Sequence, residues 1–141
     1  MIIALDYGDE RIGVAVTDEE EKFVFPRFVI KKNDFDKNHK IFEEKINNFN
    51  KISQIVIGLP KNLKGEDTIQ TKKVIAFSEI IQMEYPEKKV TMYDERFTSR
   101  ILEKEFRFQG ISTKDYREKK DMFEACIILE DFLKRRSNEN I

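Results

Sequence analysis

Apolar residues first cluster as a short continuous run at Ile2-Ile3-Ala4-Leu5, the pattern of a buried strand over residues 2–7. A hairpin partner follows over 11–17, across Gly8-Asp9-Glu10. A third strand spans 22–30, where Pro26 predicts a sheet edge or a bulge. The pattern then changes period. Phe35, Ile41, Phe42, Ile46 and Phe49 approximate helical spacing and predict a helix over 35–49, ahead of a short buried strand over 54–58. Pro60 and Gly65 mark a loop over 59–65, and a helix from about 66 to 83 turns Val74, Phe77, Ile80 and Ile81 inward before Pro86. The last strand covers 90–93 and closes in Asp94-Glu95-Arg96. A helix over 98–108 stops at the capping Gly110, a basic loop follows, and a final helix runs from Asp121 to Leu133. Residues from 134 on are polar and predict a fraying tail.

Three antiparallel strands followed by two helix-linked strands describe an α/β domain with a five-stranded mixed sheet flanked by helices. The 141 residues suit one domain over 1–141 and leave no room for a two-lobed enzyme. No apolar stretch approaches the ~20 residues that span a bilayer, and the N-terminus lacks a signal-peptide pattern, so a cytoplasmic protein without membrane contact is expected. The single cysteine, Cys126, sits among apolar neighbours and excludes both an internal disulfide and a thiolate zinc site. The single histidine, His39, lies in a polar run and reads as a solvated surface residue. Chemistry that depends on a histidine base is thereby disfavoured.

Net charge is −1, yet eight basic residues face four acidic ones between Arg96 and Lys120. Arg96, Arg100, Lys104 and Arg107 recur at helical spacing, which fits either an ordinary solvated face or a phosphate-contacting edge. Acidic residues form the other constellation. Asp6 ends the first strand, where a carboxylate is costly unless it is solvated, hydrogen-bonded or bound to a cation. Asp94 and Glu95 end the last strand. Were that strand parallel and close to the first, these carboxylates would emerge at one sheet edge, where open α/β sheets place their sites. Strand alternation lets only one of Asp94 and Glu95 face Asp6, leaving the other to pair with Arg11 or Arg96. Asp121 has two open readings: an N-cap whose capping box is completed by Glu124, or a carboxylate at the head of the stripe that packs on the sheet. Converging carboxylates repel unless a cation lies between them, and hard oxygen donors select Mg²⁺ or Mn²⁺. Two such ions would serve phosphodiester hydrolysis without a histidine.

The segment Asp6-Tyr7-Gly8-Asp9-Glu10-Arg11-Ile12-Gly13-Val14-Ala15-Val16-Thr17-Asp18 resembles the opening motif of the YqgF/RuvX family, pre-16S rRNA nucleases also described as Holliday-junction-resolvase-like. Gly58-Leu59-Pro60 with Asn62 and Gly65, Asp94-Glu95-Arg96-Phe97-Thr98, and Asp121 ahead of Ala125, Ile128 and Leu129 agree in family order across nearly the whole chain. The resemblance implies an RNase H-like fold and a metal-dependent nuclease in 5′-end maturation of small-subunit ribosomal RNA. Asp6, Glu95 and Asp121 are its implied catalytic and metal-binding set, with Asp94 and Glu124 as further metal-ligand candidates. Glu124 stands where the family usually has alanine, which would allow an acidic i/i+3 pair with Asp121. The nucleic-acid-contacting set is then Arg11, Lys61, Asn62, Lys64, Arg96, Arg100 and Lys104. Structured precursor RNA, ribosomal precursor particles or branched DNA are the implied partners, for a monomer or weak dimer.

Other functions compete. A junction-resolving DNA endonuclease would need a dimer to cut two strands symmetrically. A nucleotide-binding half of the actin and sugar-kinase type shares the strand-Asp-x-Gly hairpin but needs two lobes. A non-catalytic RNA-binding module would be favoured by loss of Asp6 or Asp121, and both are present.

Overall fold

The computed structural model describes residues 1–95 and 113–139. β1 (Ile2–Tyr7), β2 (Arg11–Thr17) and β3 (Val24–Lys31) form an antiparallel meander, and β4 (Gln54–Leu59) and β5 (Lys89–Asp94) complete one sheet in the order β3-β2-β1-β4-β5. β4 lies parallel to β1, and β5 parallel to β4. This is the mixed α/β sheet expected from the sequence, with the RNase H-like arrangement of three antiparallel and two parallel strands. Pro26 satisfies both of its readings. β3 is an edge strand, and the register steps from Val14↔Phe28 to Ala15↔Pro26, leaving Arg27 as the extra residue of a bulge.

Strand alternation divides β1 between two cores. Ile3 and Leu5 join Ile12, Val14, Ile30, Ile55 and Ile57 on one face, beneath Phe35, Phe42, Phe77 and Ile81. The helices there are α1 (Lys32–Lys37), α2 (Ile41–Lys45) and α3 (Ile69–Glu84). Ile2 and Ala4 turn the other way and meet Ala15, Val56 and Tyr93 under α4 (Thr113–Glu139), which contributes Ala125, Cys126, Ile128 and Leu129. Cys126 is fully buried in that second core, and burial pushes its thiol up to about 12. Among the described residues, no helix is long and apolar enough to cross a membrane.

Three expectations need correction. The helix expected over 35–49 is broken into α1, α2 and a short 3₁₀ turn at Phe49–Lys51. Its apolar positions are nevertheless all buried, so the spacing identified the core without identifying one helix. Asn38 takes extended backbone, accepts from the Lys40 amide at 3.1 Å and donates to Glu44 at 2.9 Å, local bonding that competes with helix continuation. Next, α3 begins at Ile69, not at about 66, because Thr68 and Thr71 form a reciprocal capping box.

The third correction concerns α4. It starts at Thr113, so most of the expected basic loop ahead of Asp121 is helical, and it continues to Glu139 through the expected tail. Residues 113–120 carry no apolar stripe and gave no periodic signal, although their charged side chains suit a helix. At the far end, Arg136 reaches Glu21 at 3.2 Å and Arg135 reaches Asp131 at 3.4 Å. The expected helix over 98–108 and its Gly110 cap lie outside the described residues.

Candidate active site

Asp6 is the last residue of β1 on the α4 side and is 8% exposed. What surrounds it follows from two glycines on the neighbouring strands. Gly13 is its partner on β2, and a side chain there would collide with the Asp121 carbonyl and lie 2.8 Å from the Met122 nitrogen. The α4 backbone therefore rests directly on the sheet beside Asp6. On the other flank, β4 pairs Ile57 with Leu5, so Gly58 lies next to Asp6. A Cβ at Gly58 would strike the Glu95 carboxylate and come 2.6 Å from Ile128 Cδ1. β4 thus separates β5 from β1, and the missing side chain is what lets Glu95 reach across it. Both glycines stood in plain view in the sequence, but their role required knowing which strands flank β1.

Carboxylate oxygens of Asp6, Asp121 and Glu124 lie within 4.8 Å of one another. Glu95 stands outside that trio but near enough to Asp6 for the two carboxyls to shift each other's ionisation. Its selection over Asp94 follows from alternation once the face is known: Tyr93 packs under α4, so Glu95, two residues on, emerges on the same side. Asp94 ends β5 in register with Leu59 and adds repulsion at Glu95. Burial drives the Asp6 carboxyl well above its ordinary range, reinforced by its hydrogen bond to Glu124 and by the charges of Glu95, Glu124 and Asp121. Burial raises Glu95 as well, opposed by Asp6 and assisted by Glu124 and Asp94. Burial and the neighbouring charges thus favour the protonated carboxyl at Asp6 over the anion.

Asp121 lies about two turns inside α4, so it caps nothing, and the capping box with Glu124 does not form. The i/i+3 spacing instead brings both side chains toward Asp6. Arg11 donates to Asp121 at 3.0 Å; Arg96, the other partner expected for the remaining strand-end carboxylate, lies outside the described residues. Lys120 sits 3.6 Å from Glu124. The donor set, all carboxylate oxygens with one buried and destabilised as an anion, fits a hard divalent cation.

The loop after β4 leaves the same sheet edge as Asp6. Asn62 organises it, its Oδ1 accepting from the Lys64 and Glu66 amides at 3.0 and 2.8 Å, while Gly65 adopts φ 83°. Asn62 is thus occupied in shaping the loop. Lys61 lies 3.7 Å from Asp67, and Lys64 is exposed. Arg96, Arg100 and Lys104 lie outside the described residues. His39 is away from the cluster, stacked on Phe35 and 3.5 Å from Glu84.

A mixed sheet of this topology, with acidic side chains converging on the end of its first strand, defines an RNase H-like nuclease, a class that hydrolyses phosphodiester bonds. The family described as "RuvX: Holliday junction resolvase" matches residues 1–135. A Sulfurihydrogenibium protein is 39% identical, covering 99% of this chain and 93% of its own, and one from Maridesulfovibrio salexigens is 33% identical, covering 95% and 98%. A Mycoplasmoides gallisepticum protein is 34% identical, covering 92% of each. All three carry the name "Putative pre-16S rRNA nuclease". The chain belongs to the RuvX family. Among solved structures, Archaeoglobus fulgidus Pelota aligns with a TM-score of 0.44 and 12% identity over 98% of this chain and 36% of that one, too distant to bear on fold or function.

Proposed function

We propose that this protein cleaves precursor ribosomal RNA in 5′-end maturation of the small-subunit RNA, using Mg²⁺ or Mn²⁺ held by Asp6, Glu95 and Asp121, with Glu124 as a fourth carboxylate. The observation that carries the reading is the buried Asp6 surrounded by three carboxylates, an arrangement whose charge a divalent cation would balance. When bound, the cation supplies Lewis-acid stabilisation of charge on the phosphodiester. Asp6 fixes the centre of the site because β1 is buried between β2 and β4. Arg11 holds Asp121 by a charge-assisted bond and limits its motion. Glu95 reaches over β4 and Glu124 comes from α4, so their relative placement depends on the seating of α4. The substrate is taken from the names of the relatives, which cover nearly their full length.

Cleavage of a four-way DNA junction is the second reading, favoured by the family's description. The test offers the purified protein a structured precursor RNA and a four-way junction, each with Mg²⁺, Mn²⁺ or a chelator. Metal-dependent cutting of the RNA is expected, lost in the Glu95→Gln variant. Preferential cutting of the junction would favour the second reading. Activity that persists in chelator would overturn the metal reading.

A further inference from the structure

We infer that the cleft beside the carboxylate cluster is a ribonucleotide subsite, in which Lys31 and Lys32 take a backbone phosphate and Asp9 and Glu10 accept from a ribose 2′-hydroxyl. The inference rests on the nuclease reading and adds to it a basis for preferring RNA. The cleft has a volume of about 340 Å³ and is lined by Asp9, Glu10, Arg11, Lys31, Lys32 and Asn33. It opens where the β1–β2 hairpin meets the end of β3. Arg11 belongs to both places, since it lines the cleft and bonds Asp121 at 3.0 Å. Gly8 closes the hairpin with a 2.8 Å bond to the Arg11 carbonyl and stands close to Asp121.

Arg11 and Lys31 are direct cross-strand partners, a like-charge pairing that costs stability unless an anion answers it. The Asp121 carboxylate answers Arg11, and no ion pair answers Lys31 among the described residues. Lys32 is already positioned: its Nζ lies 4.5 Å from the Tyr7 ring centroid, and its backbone amide donates to the Glu10 carbonyl at 2.8 Å. That bond also fixes Glu10 against the lysine pair. A wholly basic cleft would bind any polyanion. Two carboxylates set among the cations repel phosphate but accept well from a hydroxyl, and the 2′-hydroxyl is the donor that distinguishes RNA from DNA. A DNA strand in the same place would leave those acceptors facing a sugar with nothing to donate.

The test measures binding, so it stands apart from cleavage. In the Asp6→Asn background, affinities are determined for a short single-stranded RNA and for DNA of the same sequence across a salt series. Lys31→Ala with Lys32→Ala is expected to weaken RNA binding about tenfold at low salt and to flatten the salt slope by about 0.7, as for one lost phosphate contact on a single strand. Asp9→Ala with Glu10→Ala is expected to weaken RNA binding several-fold without weakening DNA binding, bringing the two near parity. All four side chains line the surface, and circular dichroism verifies folding; a Lys31→Glu single variant, which leaves α1 intact, repeats the first arm. Equal gains for RNA and DNA in the Asp9/Glu10 variant would overturn the subsite, as would RNA binding untouched by the lysine changes. An unmodified protein that binds neither strand would overturn it too. If the unmodified protein fails to cut RNA yet the affinity pattern holds, the subsite stands and the nuclease reading falls.

Discussion

The two faces of the sheet are made of different material. Beneath α1, α2 and α3 the strands offer Ile3, Leu5, Ile12, Val14, Ile55 and Ile57, large side chains that keep the helices at a distance filled by Phe35, Phe42 and Phe77. Beneath α4 they offer Ala4, Gly13, Ala15, Val56 and Gly58, and α4 comes close enough for its backbone to replace a side chain. The first face gains stability from apolar area removed from water. The second gathers Asp121 and Glu124 within 4.8 Å of Asp6 and adds the charge of Glu95, which costs stability in the metal-free protein. The bulky face secures the fold, and the small-residue face spends part of that stability on a site.

The largest expected effect lies on the small-residue face. Asp6→Asn keeps the shape of the side chain and removes the central charge, so metal-dependent cleavage should vanish in a nuclease assay. The melting temperature of the metal-free variant should match or exceed wild type, because repulsion is relieved; a clear drop would mean Asp6 stabilises the fold. On the opposite face, Phe77→Ala should cost about 3–5 kcal/mol in denaturant unfolding while activity per folded molecule is retained. Selective loss of activity there would blur the division between the faces.

Gly13→Ala tests the close approach of α4. Its Cβ would meet backbone at Asp121, which cannot swing aside as a side chain can, so a loss of about 1–3 kcal/mol should accompany loss of cleavage. Gly58→Ala should be milder in stability, since it meets the movable side chains of Glu95 and Ile128, yet it should still impair cleavage.

The carboxylate cluster also predicts a pH dependence. A carboxyl raised in the folded state favours folding while it is protonated, and that contribution is lost as pH climbs from the ordinary range, about 4, through the raised folded value. The stability of Asp6→Asn relative to wild type should therefore grow from acid to neutral pH without metal, and shrink when Mg²⁺ or Mn²⁺ is added. A pH-independent difference would mean that Asp6 is not the proton holder. The smallest effect is expected at Lys120→Ala, where an exposed i,i+4 partner of Glu124 is lost for about 0.3–0.5 kcal/mol in thermal unfolding.

The sequence by itself determined the succession of strands along the chain, the mixed α/β class and the apolar positions of the core, because strand and helix periods and loop lengths are local features, and it left open whether Asp6 is buried or solvated. It did not determine where helices begin and end. Asn38 interrupts the helix expected over 35–49 through side-chain bonding, and α4 extends at both ends through charged residues that carry no stripe. Alternation says that one of Asp94 and Glu95 faces Asp6 but not which; the family resemblance pointed to Glu95, and the tertiary structure supplies the physical reason. The position of Tyr93 under α4 settles that question, because β5 must turn one fixed set of side chains toward the helix. Asp121 was decided in the same way. Its spacing to Glu124 suits a helix cap or a converging pair equally, and the choice depends on where α4 starts and on the bare backbone of Gly13, against which the helix comes to rest.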